Sequence, residues 1–197
     1  HPDIVIATDD MYEHIYWASE PFSSLAEVCP KLDERTITIN GVSKAYAMTG
    51  WRIGYAGGPT SIIQAMKKIQ SQSTSNPCSI SQAASVAALT GDQSCLPERN
   101  QLFRERHDYV VAALNDIPGF RCHQSAGTFY AFPDLSGAIA AKGANDDTAF
   151  AELLLNETEV AVVPGTAFGA PGYIRLSYAT SLETLQEAIA RIAKFIG

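Results

Sequence analysis

Apolar residues in the first third of the chain form short runs that end in polar or glycine-rich segments. The run Asp3–Ala7 (DIVIA) contains β-forming residues and stops at Thr8, which is typical of a buried parallel strand with polar groups at its carboxyl end. Arg35–Asn40 (RTITIN) predicts a second strand, and Arg52–Gly58 (RIGYAGG) predicts a third. These runs therefore predict a sheet in the first half of the chain.

Helical spacing replaces the strand pattern in the middle of the chain. Thr60–Gln72 places apolar residues on one face behind a Pro-Thr-Ser start, and Ile80–Leu89 is rich in alanine. A long amphipathic helix is predicted over about 97–116, where Pro118 and Gly119 stop it.

The pattern after this long helix mixes short strands and helices. The predicted elements are strands in FRCHQ and TFYAFPDL, a helix over Thr148–Glu157, strands in VAVVPG and YIRLSYA, and a closing helix over Leu182–Ile196. We therefore predict the α/β class, with a sheet region over 1–105 and a smaller α+β region over 106–197 that the long helix joins.

Composition excludes several classes of protein. The 197 residues are 46% hydrophobic and 18% charged, which is typical of a folded chain with a core. The net charge of −7, from 14 basic and 21 acidic residues, argues against nucleic acid or an anionic membrane as a partner. No apolar run approaches the roughly 20 residues of a membrane-spanning helix. We therefore expect neither a nucleic-acid nor a membrane partner.

The cysteines and the first residues indicate the cellular context. Four cysteines lie far apart, without a CxxC pair or nearby histidines: Cys29, Cys78, Cys95 and Cys122. This pattern favours free thiols in a reducing cytoplasm and no metal site. The start HPDIVIATDD has no initiator methionine and no signal-peptide features. We expect the chain to be part of a longer protein, which we call the parent protein.

Two predicted strand ends carry residues that could perform chemistry. Asp9 and Tyr12 follow the first strand, Lys44 follows the second, and Arg52 begins the third. Ligands of open α/β sheets bind beyond the carboxyl ends of strands. Taken one at a time, these residues have ordinary explanations as a cap, a packed aromatic ring and surface charges.

Taken together, the four residues fit an amine catalyst that works with a pyridine-type cofactor. A lysine that forms a Schiff base must be neutral when it attacks, and a nearby cation such as Arg52 or partial burial lowers its pKa. A buried carboxylate such as Asp9 would keep a pyridine nitrogen protonated. The phenol of Tyr12 could then hydrogen-bond the ring hydroxyl.

Three segments resemble the pyridoxal-phosphate-dependent aminotransferases of fold type I, class I/II, and most closely the bacterial aspartate aminotransferase group. GVSKAYAMTGWRIG matches the lysine signature of that family along its whole length, and TDDMYEH resembles its Asp-x-x-Tyr element. VAVVPGTAFG followed by YIRLSYA resembles its C-terminal segment. The resemblance runs from Asp3 to the end. It implies that 1–105 is the C-terminal part of the three-layer α/β/α large domain, and that 106–197 is the small domain.

The resemblance implies roles for individual residues toward pyridoxal 5'-phosphate. Lys44 would be the Schiff-base lysine and the catalytic proton shuttle. Asp9 would pair with the pyridinium, and Tyr12 would donate to the ring hydroxyl. Arg52 would hold the phosphate through a bidentate contact, and Ser43 would add a phosphate or structural hydrogen bond.

Other positions concern the substrate and one departure from the family. Arg175 would bind the substrate α-carboxylate, and this charge in an apolar strand is costly unless it is paired. Phe129 and Tyr130 lie where family members often line the substrate pocket. Many members have serine at the position of Gly41, and glycine cannot make their phosphate contact.

The implied activity is transfer of an amino group between an amino acid and a 2-oxo acid, with aspartate and 2-oxoglutarate as the favoured pair. The parent protein would be a homodimer in amino-acid metabolism. The family's phosphate loop, ring-stacking aromatic residue and ring-binding asparagine are not in this chain, so we expect it to be inactive alone. Aromatic, alanine or broad-range transamination and a carbon–sulfur lyase remain enzymatic alternatives. The non-enzymatic alternative is a ligand-sensing module of a regulator.

Overall fold

The computed structural model describes residue 1 and residues 3–197. These residues form two compact units, His1–Asn100 and Gln101–Gly197. Each unit contains a three-stranded sheet of its own. One long helix, α4, runs over Cys95–Asn115 and contributes residues to both units.

The sheet of the first unit has the strand order β1-β2-β3. β1 covers Ile6–Asp9, β2 covers Thr36–Gly41 and β3 covers Gly54–Gly57. β1 is parallel to β2, whereas β3 is antiparallel to β2. The second and third strands therefore lie where the sequence predicts them, and β3 is shorter than predicted.

The first strand differs from its prediction. β1 begins at Ile6, and the preceding Ile4 and Val5 are 52% and 55% exposed. In the described part of the chain β1 has β2 as its one neighbour, so it is an edge strand. The prediction of a buried strand over Asp3–Ala7 is therefore wrong, because burial needs neighbours that these residues do not provide.

The helices of the first unit are α1 (Leu25–Val28), α2 (Thr60–Ser73), α3 (Ser79–Thr90) and the start of α4. The positions of α2, α3 and α4 confirm the helices predicted in the middle of the chain, whereas the four-residue helix α1 is not predicted. In α3 two polar residues are buried and large apolar residues are exposed, which is the reverse of the usual pattern. Ser81 and Ser85 are buried, whereas Ile80 and Val86 are 69% and 60% exposed.

The second unit has an antiparallel sheet with the order β4-β6-β5. Its elements are β4 (Tyr130–Ala131), α5 (Ser136–Lys142), α6 (Asp147–Thr158), β5 (Val163–Pro164), β6 (Ile174–Ser177) and α7 (Leu182–Ile196). The bounds of α7 are those predicted, and the hydroxyl of Ser181 caps it by accepting from the Thr184 N–H. The short helix α5 is not predicted, because seven residues are too few for a clear helical pattern.

The prediction of a strand in FRCHQ, residues 120–124, is also wrong. The structure retains one isolated bridge there, between Arg121 and Asp134. The side chain of Asn115 binds both backbone groups of Cys122, at 2.8 Å to its N–H and 2.9 Å to its C=O. A helix side chain therefore takes the partners that a neighbouring strand would have used.

Tyr178 follows β6, and we predict that it makes the stability of the second unit depend on pH in the alkaline range. It is fully buried, and its hydroxyl lies 3.4 Å from the Thr128 carbonyl. Burial, partly offset by hydrogen bonds to Ser125 and Thr128, raises the pKa of Tyr178 from 10.0 to about 12. The unfolded chain therefore releases this proton first as the pH rises. The stabilisation is complete below pH 10 and is lost as the pH approaches 12.

We expect this group to lower the free energy of unfolding by about 3 kcal/mol between pH 10 and 12. The measurement is denaturant unfolding of the chain across that range, beside Tyr178→Phe. The variant lacks the ionisable hydroxyl, so its decline should be smaller than that of the wild type by about this amount. Parallel declines in the two proteins would contradict the assignment to Tyr178.

Candidate active site

Lys44 lies in a turn that directly follows β2. The Ala47 N–H donates to the Lys44 carbonyl at 3.1 Å. Val42 and Ala45 are buried on either side, whereas Ser43 and Lys44 are half-buried. The buried neighbours anchor the backbone, so the lysine side chain is presented from a fixed position.

Two further hydrogen bonds hold this turn from the region around the start of α4. The Tyr46 hydroxyl donates to Oε1 of Gln93 at 2.7 Å, and Nη1 of Arg99 donates to the Ala45 carbonyl at 3.1 Å. Burial first, and then the ionisable Cys95 and Glu13, raise the pKa of Tyr46. The hydroxyl therefore remains a donor at neutral pH.

Asp9 is the last residue of β1, and its backbone pairs with Ile39 of β2. Its Oδ1 accepts a hydrogen bond from the Met11 N–H at 3.2 Å. The residue is exposed, so the expectation of a buried carboxylate is wrong for this chain. The reason is the same as for β1, since an edge strand leaves its end uncovered.

Tyr12 lies in the turn after β1, close to the lysine. Nζ of Lys44 is 5.9 Å from the centroid of the Tyr12 ring, at the outer limit of a cation–π contact. The turn is fixed by a bond from the Ile15 N–H to the Tyr12 carbonyl at 2.8 Å, and Ile15 is buried. The structure therefore brings Tyr12 and Lys44 together.

Three acidic residues, Asp9, Asp10 and Glu13, lie close together in sequence at the end of β1 and just after it. Burial raises the pKa of Asp10, and the charges of Glu13 and Asp9 raise it further. Oε1 of Glu13 also accepts from the side chain of Asn40 at 2.7 Å. A negative potential of this kind stabilises a cation placed beside it.

Arg52 lies between a 3₁₀ turn, Thr49–Trp51, and β3. Its backbone is left-handed, with φ 56° and ψ 46°, which is uncommon for a residue other than glycine. Its Nη1 donates to the Thr49 carbonyl at 2.9 Å, and the residue is exposed. Among the described residues no carboxylate lies within ion-pair distance of Arg52, so guanidinium donors remain for an external anion.

Gly41 has a structural role at the end of β2. A Cβ atom at this position would lie 2.9 Å from the Ile53 carbonyl oxygen and 3.0 Å from Cε of Met11. The strand end therefore packs against its neighbours too closely for a serine without local movement.

Arg175 lies in β6 of the second unit and is half-buried. Its Cζ is 4.4 Å from the centroid of the Tyr130 ring and 4.5 Å from that of Phe168. Within the described part of this unit no carboxylate is in ion-pair distance of it. The charge is thus accommodated between two aromatic faces, and the guanidinium edge retains donors for a carboxylate.

The sequence-predicted residues divide between the two units. Asp9, Tyr12, Ser43, Lys44 and Arg52 belong to the first unit, and Arg175 belongs to the second. Sequence reasoning missed Phe168, whose one signal is its position in the segment before β6.

The described residues contain neither a candidate metal site nor a candidate membrane-spanning helix. No group of three or more His, Cys, Asp or Glu side chains could hold a metal ion. No described helix has both the length and the apolar character needed to cross a bilayer.

Comparison with known proteins gives consistent matches along the chain. Residues 1–192 match the family model of aminotransferase class I and II. An aspartate/prephenate aminotransferase of Nitrosomonas europaea is 54% identical over 202 residues, which cover 100% of this chain and 51% of that protein.

Solved structures give the same result. The aspartate aminotransferase of Rhizobium meliloti superposes with a TM-score of 0.93 at 50% identity, over 100% of this chain and 50% of that one. An aromatic aminotransferase of Pyrococcus horikoshii OT3 superposes with a TM-score of 0.89 at 37% identity, over 98% of this chain and 51% of that one. The chain therefore spans about half the length of the relatives it matches.

Proposed function

Because this chain belongs to the class I and II aminotransferase family, we propose that it supplies the lysine-bearing half of an enzyme that uses pyridoxal 5'-phosphate. The enzyme would move an amino group between an amino acid and a 2-oxo acid. The observation that carries this proposal is the Lys44 amine, 5.9 Å from the Tyr12 ring beyond the carboxyl ends of β1 and β2. Ligands of open α/β sheets bind at this edge.

The proposal includes the organisation of the parent protein. Residues 1–105 would be the C-terminal part of the cofactor-binding large domain, and 106–197 would be the small domain. The compact units divide after Asn100. The parent protein would be a cytoplasmic homodimer whose partners are its amino-acid and 2-oxo-acid substrates. For experiments, the missing half can be supplied by fusion to the first half of the Nitrosomonas europaea relative.

The residues present fit the proposed cofactor. Pyridoxal 5'-phosphate supplies an aldehyde that condenses with amines and a ring that withdraws electrons from the reacting carbon. Its three polar features need an amine, an acid beside the ring nitrogen and a cation for the phosphate. Lys44, Asp9 and Arg52 provide these groups.

Lys44 would perform the proton transfer. Its amine must be neutral to attack a carbonyl and to accept a proton from the substrate α-carbon. The turn between buried Val42 and Ala45 fixes the point from which the side chain extends. Tyr12, beside the amine, would orient the site through its hydroxyl.

Asp9 would stabilise a protonated ring nitrogen by charge. Burial first, and then the charges of Glu13 and Asp9, raise the pKa of Asp10, so Glu13 adds to the negative potential at this edge. Asp9 is exposed in this chain, and cover from the missing half would strengthen its interaction with a cation.

Arg52 gives a prediction specific to the phosphate. Arg52→Asn keeps a residue that tolerates the left-handed backbone but removes the charge. Loss of charge-assisted hydrogen bonds should weaken binding of pyridoxal phosphate to the parent protein by about 10- to 100-fold. Equilibrium titration with pyridoxal, which has no phosphate, is the matched control and should be unaffected. Equal losses for the two ligands would contradict a phosphate role.

Product analysis tests the proposed reaction. With aspartate and 2-oxoglutarate the parent protein should form oxaloacetate and glutamate in equal amounts, and nothing without the acceptor. A carbon–sulfur lyase would instead release pyruvate and ammonia from a cysteine conjugate without an acceptor. Failure to transfer the amino group from aspartate, alanine or aromatic donors would refute the proposal and favour a ligand-sensing module.

A second acceptor follows from the names of relatives. The Nitrosomonas europaea relative is named an aspartate/prephenate aminotransferase, and prephenate is itself a 2-oxo acid with a second carboxylate. We therefore include prephenate as an acceptor in the same assay. A kcat/KM for prephenate at least equal to that for 2-oxoglutarate would assign the parent protein this second activity.

A further inference from the structure

A fully buried carboxylate begins helix α6. Asp147 is 1% exposed. Its Oδ2 accepts from the Thr166 N–H at 2.7 Å, and its Oδ1 accepts from the Thr166 hydroxyl at 2.7 Å. Burial alone would raise the pKa of Asp147, but the bonds from Thr166, its own N–H and the Gly172 N–H outweigh burial and hold the pKa below its usual value. The buried group is therefore a charged acceptor at neutral pH.

The carboxylate binds the connection between β5 and β6. Thr166 belongs to a 3₁₀ turn, Gly165–Phe168, in this connection. The connection closes on itself through a bond from the Gly165 N–H to the Tyr173 carbonyl at 2.7 Å. A Cβ atom at Gly165 would collide with the Ala170 carbonyl oxygen, so the loop is closely packed. Its internal bonds set its shape, and Asp147 fixes it to α6.

Phe168 is the last residue of this 3₁₀ turn. Its ring covers the guanidinium of Arg175, with 4.5 Å between the ring centroid and Cζ. The side chain is 47% exposed, and its further ring contact is edge-on to Phe132 at 6.0 Å. Burial therefore contributes little to the position of Phe168, and the position of the loop decides it.

We propose that Asp147 is a positioning residue that acts through Thr166 to hold the Phe168 ring over Arg175. The guanidinium then lies between Phe168 and Tyr130, with its N–H edge directed by two ring faces. The inference rests on the proposed function only where it assigns a substrate carboxylate to Arg175.

The first test uses this chain and needs neither cofactor nor activity. Ring currents of Tyr130 and Phe168 shift the Nε–H resonance of Arg175 in an NMR spectrum. Phe168→Leu removes one of the two rings, so the change in this variant measures the shift that Phe168 causes. Thr166→Val removes the hydroxyl donor at an exposed position and keeps the side-chain shape. We expect its Arg175 resonance to move toward that of Phe168→Leu, whereas Thr166→Ser keeps the wild-type position.

Two results of this test would overturn the proposal. One is a wild-type Arg175 resonance in Thr166→Val while Phe168→Leu is shifted, because the Thr166 hydroxyl bond to Asp147 would then not hold the loop in place. The other is an unshifted resonance in Phe168→Leu, because the ring would then not cover the guanidinium. Asp147→Asn should move the resonance in the same direction as Thr166→Val. If Asp147→Asn fails to fold, Thr166→Val decides the question.

The second test measures kinetics of the parent protein. A displaced Arg175 would weaken binding of the substrate in the ground state and in the transition state alike. Thr166→Val should therefore raise KM for the amino acid about threefold to tenfold and change kcat by less than about twofold. Thr166→Ser should restore KM. A shifted resonance with unchanged KM would uphold the positioning role and refute Arg175 as the carboxylate ligand. An unshifted resonance would refute the positioning role whatever the kinetics.

Discussion

Replacing Lys44 with alanine should lower transamination by the parent protein by roughly 10⁴-fold or more, because one side chain supplies both the nucleophile and the proton carrier. Partial burial and the neighbouring Tyr12 ring distinguish this lysine from the exposed lysines of α2. The measurement is the rate of amino transfer from aspartate under single-turnover conditions.

Lys67→Ala is the matched control for this prediction. Lys67 is exposed in α2, and its removal should leave the rate within about twofold, as expected for a surface substitution. Circular dichroism and the unfolding midpoint show whether Lys44→Ala is folded. A folded Lys44→Ala that retains a tenth of the activity would rule out covalent catalysis by this residue.

Replacing Arg175 with alanine should lower kcat/KM for amino-acid substrates by about 10²- to 10³-fold. Truncation of one partner of a hydrogen-bonded charge pair typically removes about 2–5 kcal/mol of binding. Arg175→Lys keeps the charge but loses the planar fork, so its loss should be intermediate. The measurement is steady-state kinetics with aspartate, in which KM should change more than kcat.

Two controls make the Arg175 prediction specific. Arg104 is an exposed arginine of the same unit, and Arg104→Ala should leave the kinetics unchanged. An amine that lacks the α-carboxylate should react equally slowly with the wild type and with Arg175→Ala. If Arg175→Ala slows that amine as strongly as aspartate, the arginine does not act on the carboxylate.

The sequence predicts elements well where local pattern decides them. The apolar spacing in α7 and its Ser181 cap lie within one segment, and the predicted bounds of that helix are confirmed. Burial is predicted less well, because it depends on distant neighbours. Ile4 and Val5 have β-forming character, and Ile80 and Val86 lie in a helix, yet all four are exposed in this chain.

In the candidate site, too, some residues can be predicted from local sequence and others depend on distant contacts. Lys44, Arg52 and Arg175 lie in segments whose spacing resembles a family signature, so the sequence alone singles them out. Asp147 and Phe168 act through a loop closure and a ring contact that no spacing encodes. The exposure of Asp9 likewise follows from the edge position of β1 and not from its local sequence.

The visible absorption of the parent protein with added pyridoxal phosphate, with and without aspartate, tests covalent attachment at Lys44 most directly. We expect an absorption band that is present in the wild type and in Lys67→Ala, decreases when aspartate is added, and is missing from Lys44→Ala. The same band in folded Lys44→Ala, or a wild-type band that does not respond to aspartate or any other amino acid, would contradict covalent attachment of the cofactor at Lys44.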